Sequence, residues 1–468
     1  MLSVSYAAAA AAMLAAALYL FFRLRLFLTT TTMLIGSLLL IYGPAFLSYT
    51  LSSGELSFLI HRLSGSAGVP HPIFPIIQAR VPDFDAVVIA MNFSVALMYI
   101  GIISGIEAVD RLFPKRITTM RTALTVWNAQ ALQGDIGAGY RVELIVILTL
   151  TLVMSYFSIT ENHLATIWNF LTITGNDDVA RNAFRFNHGG SPDYLYRLML
   201  GAVAPMFVIW GVLAGWSGRS WSLLLAASLL FIVTLIGKSE TLSKAPPAFF
   251  LVQLMVAAFL TFTNRVTWRS ALGAAGGVVL TLFAVTLLVM SSTQGTAALK
   301  FVYSRVFEVP NQALLEFFGT FPFIHPFMWG ANIRPVATLM GQSFIPAFSI
   351  VAHTWYGTYD VTSNALFVAD AWADFSYAGV IVWSLIAGAV CRSIDAIFLA
   401  NGKTVAGVAV LGAAFFGVFT LLITALSTAL TSGGLLLAPI LAGLVLMATR
   451  YFGQRRPGSP VEHAVRNE

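Results

Sequence analysis

The residues best suited to chemistry are cations at the ends of apolar stretches. Arg181 and Arg185 lie in the segment from Glu161 to Tyr196, Lys238 and Lys244 bracket a short turn, and Lys300, Arg305 and Arg334 lie in the segment from Ser292 to Ala378. A guanidinium binds phosphate through two parallel hydrogen bonds, whereas an ammonium acts as a point charge. Three basic elements converging on one face would make an anion site. Arg305, in a short amphipathic piece from Tyr303 to Pro310 just after an apolar run, is placed to hold a lipid pyrophosphate near a bilayer surface; an ion pair with Glu308 is the plainer alternative. Lys238 ends an apolar run, where a snorkelling lysine is ordinary. Pro246 and Pro247 open the next helix, however, and predict a tight outward turn presenting both Lys238 and Lys244. Taken singly, each of these cations has the simpler alternative of solvating its loop or touching lipid phosphates.

The elements that must position these groups are transmembrane helices. Of the 468 residues, 58% are hydrophobic and only 10% charged, with a mean hydropathy of +0.83, whereas about a quarter of a soluble chain is charged. Apolar stretches at 5–22, 30–51, 86–107, 144–160, 198–217, 220–237, 246–263, 270–291, 377–398, 404–425 and 433–450 predict about eleven spans. The expected architecture is an all-α polytopic membrane protein with one transmembrane domain over 1–450, loops 161–196 and 292–378 on the outer face, and a short cytoplasmic tail over 451–468. The first apolar run has Arg23 and Arg25 after it and no cation before it, so it is expected to remain as a span with the N-terminus outside. The larger share of the 26 Lys and Arg residues then falls on the cytoplasmic side. The stretch Ile117 to Trp127 reads as an amphipathic helix lying on the bilayer.

Several function classes find no support. There is no phosphate-loop motif, no nucleophile elbow and no zincin motif. The seven histidines are scattered, and the single cysteine, Cys391, lies in an apolar run. The net charge of +6 follows from the basic bias of cytoplasmic loops, so nucleic acid is not an expected partner. No internal repeat supports an inverted-repeat transporter.

The segment Ser292 to Ala378 carries Phe317, Phe318, Phe321, Trp329, Trp355 and Trp372 among charged residues. That is the composition of a folded loop with short amphipathic helices beside a membrane, since a flexible linker is poor in aromatics. Its end, Ser349 to Ala378, resembles the end of the long outer loop in the O-antigen and oligosaccharide repeat-unit polymerases, and more distantly in the O-antigen ligases. Ser363-Asn364, Phe367, Asp374-Phe375 and Gly379 stand where those families have a polar pair, a hydrophobic helix, an acidic residue with an aromatic, and a glycine opening the next span. Gly237-Lys238-Ser239 and Arg305 resemble the basic elements of the polymerases. The resemblance covers about the C-terminal half. Ser363 replaces the histidine of the ligases' His-Asn pair.

That resemblance implies a GT-C-like glycosyltransferase of the bacterial inner membrane with its active site facing the periplasm. Its substrate, as both donor and acceptor, would be an undecaprenyl-pyrophosphate-linked oligosaccharide. Arg305, Lys238, Arg185 and Arg181 would hold the leaving pyrophosphate, His353 or Asp370 would take the proton of the acceptor hydroxyl, with Asp360 also nearby, and Asn364 and Trp355 would contact the sugars. No metal or other cofactor is expected where arginines neutralise the pyrophosphate. Membrane lipid is a further partner, and association with a polysaccharide chain-length regulator stays open. The alternatives are an O-antigen ligase acting on lipid A core and a lipid or solute transporter, which should show charged or broken helices at mid-membrane.

Overall fold

In the computed structural model the described residues are 1–53, 73–134, 140–173, 184, 194–240, 245–270, 272–273, 276–277, 280, 302–357 and 365–454, and every regular element among them is helical. Eight helices are long and apolar enough to cross a membrane, and the chain is a polytopic membrane protein. They are Leu2–Arg23 (α1), Thr30–Leu51, which bends at Gly43 into α2 (Thr30–Tyr42) and α3 (Pro44–Leu51), Phe84–Leu112 (α5), Tyr140–Thr160 (α7), Tyr194–Ser217 (α9), Trp221–Ser239 (α10), Phe367–Phe398 (α15) and Val405–Ile423 (α16). Shorter elements are α4 (Ile73–Arg80), α6 (Pro114–Thr125), α8 (His163–Ile173), α11 (Ala245–Phe262), α12 (Val309–Thr320), α13 (Arg334–Leu339), α14 (Ala347–Tyr356), α17 (Leu426–Leu430) and α18 (Leu437–Gln454). Ten of the eleven expected apolar stretches thus coincide with described helices, α11 and α18 being the two short ones; the stretch 270–291 lies largely outside the described residues.

The backbone α5–α15 pair forms the centre of the packing. Small residues let the two helices approach: a Cβ at Gly105 would overlap the carbonyl of Leu385, and one at Gly388 would overlap the carbonyl of Ile102. Without a hydrophobic drive between helices in lipid, such close backbone contact supplies the packing energy.

Long-range polar contacts sort the helix termini into two ends. At one, Asp110 of α5 accepts from Arg392 of α15 (Nε 2.5 Å, Nη2 3.0 Å) and from Arg121 of α6 (2.9 Å), with Arg23 of α1 at 3.6 Å. Arg23 also donates to Glu107, as does the hydroxyl of Tyr19 at 2.8 Å. Asp395 accepts from the backbone N–H groups of Thr30 and Thr31 and from the Thr31 hydroxyl, so a carboxylate satisfies the open donors at the start of α2. At the other end the Tyr42 hydroxyl donates to the Leu422 carbonyl at 2.8 Å, and Asn311 of α12 donates to the Ile41 carbonyl at 3.2 Å.

Helix α6 is amphipathic as expected, but its apolar face is not free for the bilayer. Ile117, Met120 and Leu124 are buried in the protein, because α6 folds back against α5 and α15.

Candidate active site

Helix α12 lies at the Asn311 end, between the spans, and all of it from Pro310 to Thr320 is buried. Pro310 stands where the π-helical turn Ser304–Glu308 passes into α12. Gln312, Glu316 and Thr320 recur at four-residue spacing and therefore form one polar stripe. Glu316 is only 1% exposed, and a buried carboxylate needs hydrogen-bond donors. Gln312 Nε2 donates to Glu316 Oε1 at 2.7 Å, and the hydroxyl of Tyr356 donates to the same oxygen at 2.6 Å. Gln312 Nε2 also donates to the Tyr356 oxygen at 2.9 Å. The indole N–H of Trp355 reaches the Glu316 carbonyl at 3.1 Å and the Thr320 hydroxyl at 3.0 Å. These bonds lock α14 onto α12.

Helix α14 divides by its own period. Val351, Ala352 and Trp355 point inward, while His353 and Tyr356, three residues apart, stand exposed on a shared face. Tyr356 is 45% exposed although its hydroxyl is held by a buried acid. Burial and the Glu316 carboxylate hold its phenol well above the usual tyrosine range, so it stays a proton donor. Arg80 of α4 closes this side: it donates to the Thr354 carbonyl at 2.7 Å, and its guanidinium lies 5.8 Å from the centre of the Trp355 ring. Tyr49 of α3 is within electrostatic reach of Glu316 and Tyr356. Its buried hydroxyl has no hydrogen-bond partner among the described residues.

A second acidic unit lies alongside. Helix α15 breaks at Phe375 and Ser376, the latter at φ 55°, which separates a short helix, 367–374, from the span that follows. That short helix folds back so closely that a Cβ at Gly379 would overlap the Ala371 carbonyl. Asp370 and Asp374, one turn apart, share the side-chain amide of Asn332 at 2.9 and 3.4 Å. Asp374 also accepts from the backbone N–H groups of Gly330 and Asn332. Trp372 stacks on Phe318 with ring centres 4.7 Å apart, and its indole donates to the Phe321 carbonyl at 2.8 Å.

The sequence-derived residues are therefore distributed unevenly. Arg305 sits exposed in a π-helical turn, Ser304–Glu308, that runs directly into α12. His353 is exposed and Asp370 is buried on Asn332, so the two do not form a hydrogen-bonded pair. Trp355, expected to stack on sugar, has its ring inside the protein. Lys238 is not presented outward: it is 2% exposed, its ammonium lies 4.8 Å from the centre of the Phe416 ring and it donates to the Gly201 carbonyl at 3.3 Å. The reason is that α10 continues through Ser239 and turns Lys238 inward, where aromatic faces rather than water receive the charge. Arg181, Arg185, Lys244, Lys300, Asp360, Ser363 and Asn364 lie outside the described residues.

Sequence reasoning missed the roles of Glu316, Gln312 and Asn332. The four-residue spacing of Gln312, Glu316 and Thr320 was the available signal. It also missed a buried His163 on α8, whose Nε2 lies 3.3 Å from Glu240 and whose Nδ1 lies 3.4 Å from the Tyr196 hydroxyl.

No family model matches the chain, and no curated protein or solved structure does.

Proposed function

We propose that this chain is an integral-membrane glycosyltransferase that polymerises lipid-pyrophosphate-linked oligosaccharide repeat units at the Glu316 end, the periplasmic face of a bacterial inner membrane. The observation that carries this reading is the exposed face of α14, where His353 stands beside a phenol fixed by the buried Glu316. The other support is the resemblance of the segment Ser349 to Ala378 to the repeat-unit polymerases.

In the proposed reaction a sugar hydroxyl of one unit attacks the anomeric carbon of another. The new C–O bond forms as the bond from that carbon to the lipid pyrophosphate breaks. His353 takes the proton of the attacking hydroxyl, while Tyr356, its hydroxyl donating to Glu316 and accepting from Gln312, is a fixed ring beside it against which the sugar is proposed to lie. Negative charge gathers on the departing pyrophosphate, for which Arg305, Arg181 and Arg185 are the proposed contacts. Buried Asp370 and Asp374 hold the loop that carries Trp329 and Asn332 and are given no proton to move.

Transport is less well supported. The buried ionisable groups of the described spans lie toward helix ends, as with Asp110, Arg392 and Asp395 at one end and Lys238, Asp370 and Asp374 at the other.

The test is polymerisation by the purified protein of a defined undecaprenyl-pyrophosphate oligosaccharide, read as a ladder on a gel beside Arg305→Ala and His353→Ala. A ladder that both variants abolish is the expected result. Transfer to added lipid A core without a ladder would make the protein a ligase, and absence of both products would sink the enzyme reading.

A further inference from the structure

The opposite end carries a surface that this reaction does not use. Six consecutive residues at the corner where α5 gives way to α6, Arg111, Leu112, Phe113, Pro114, Lys115 and Arg116, are all exposed. Leu112 is 72% and Phe113 52% exposed. Three cations thus flank an apolar pair at the end of a membrane-length helix, which is where headgroups meet acyl chains. Phe22 of α1, also exposed, is followed directly by Arg23.

The charge of this corner is unbalanced. Asp110 and Glu107 are the two carboxylates in its network, and both are already engaged by Arg23, Arg121 and Arg392. Arg23 and Arg121 nevertheless keep part of each side chain exposed. Arg111, Lys115 and Arg116 add to that excess, and none of them has an ion pair among the described residues. Burial disfavours the charged form of Arg121, and the neighbouring Arg23 disfavours it further. A bound anion would relieve that repulsion. Helix α6 cannot offer its apolar face, which is buried, so the apolar contact must come from Leu112, Phe113 and Phe22.

We infer that this corner binds an anionic phospholipid, the phosphodiester meeting Arg111, Lys115, Arg116 and Arg23 and an acyl chain lying along Leu112 and Phe22. Apolar side chains at the rim select a lipid over a soluble anion, and the excess of cations selects an anionic headgroup over a zwitterionic one. The inference stands on the membrane-spanning helices and the charge pattern, independently of any enzymatic activity.

The experiment is native mass spectrometry of the full chain in detergent with added phosphatidylglycerol or phosphatidylcholine. Wild-type protein should retain phosphatidylglycerol preferentially, and Lys115→Gln/Arg116→Gln should lower that retention by about fivefold for each cation removed. Arg219→Gln/Arg269→Gln removes the same number of exposed cationic charges elsewhere in the chain and should leave retention unchanged. Leu112→Ser/Phe113→Ser should weaken retention of phosphatidylglycerol with all cations kept. Equal retention of the two lipids by the wild type, an equal loss in the control variant, or displacement of the lipid by inorganic phosphate would overturn the inference.

Discussion

The phenol of Tyr356 donates a 2.6 Å hydrogen bond to Oε1 of Glu316, a carboxylate buried between spans. Tyr356 is 45% exposed while Glu316 and Gln312, which hold its hydroxyl, are buried, so an exposed ring on α14 has its orientation set from within.

Tyr356→Phe removes that hydroxyl and leaves the Gln312–Glu316 bond in place. Polymerisation turnover should fall on the order of 100-fold, while donor KM and the melting temperature change little. Rates of ladder formation at varied donor concentration decide this; full turnover in Tyr356→Phe would remove the residue from the proposed site.

Asn332 is the amide shared by Asp370 and Asp374. Asn332→Ala should destabilise the segment between α12 and α15 by about 1–3 kcal/mol, because buried acceptors are left without their donor. Limited proteolysis of the reconstituted protein should then cut between residues 321 and 347 faster than in wild type. Unchanged cleavage would show that the backbone donors of Gly330 and Asn332 suffice.

Arg392→Ala leaves Asp110 buried with only the half-exposed Arg121 and Arg23 to answer it. Breaking one side of a buried pair typically costs about 3–5 kcal/mol. A pronounced drop in the detergent melting temperature is expected, larger than that of Arg121→Ala. Equal drops for the two would mean that the network shares the charge evenly.

Lys238→Met keeps the length of a side chain that packs on Phe416 and Phe250 and deletes its charge. Since the ammonium is buried away from the exposed α14 face, donor affinity should be unchanged and stability should stay within about 1 kcal/mol of wild type. A large rise in donor KM would restore Lys238 to pyrophosphate binding.

Gly388→Val should prevent close approach of α15 to α5, since even a methyl group there would overlap the Ile102 carbonyl. The expected outcome is protein that inserts but elutes as aggregate in size-exclusion chromatography. A monodisperse variant would show that the helix pair can separate without consequence.

Much of the fold was legible because span length and hydropathy are local properties. The break before 377–398 agrees with the expected start of that span, Gly379 being needed where the chain folds back. The site was less legible. Lys238 reads as a helix-end cation whether it points out or in, and the surrounding rings of Phe250 on the next helix and of Phe416, far along the chain, decide the direction. Glu316 reads as a surface charge in a loop until α12 is seen enclosed on every side. Trp355 is similar: its aromatic character gives burial and stacking equal standing in the sequence, and its ring lies inside with the indole on the Glu316 carbonyl.

The contacts at the Asp110 end also bear on how such a chain is made. Asp110 and Arg392 are 282 residues apart, and Thr30 waits 365 residues for Asp395. Helices emerging from the ribosome in order would leave α5 holding two acids with Arg23 and Arg121 as their early partners, and α2 starting without the acceptor of its Thr30 and Thr31 N–H groups. Final assembly of the first half therefore depends on the arrival of α15, and a chain truncated before Arg392 should persist as a loosely joined intermediate open to membrane proteases.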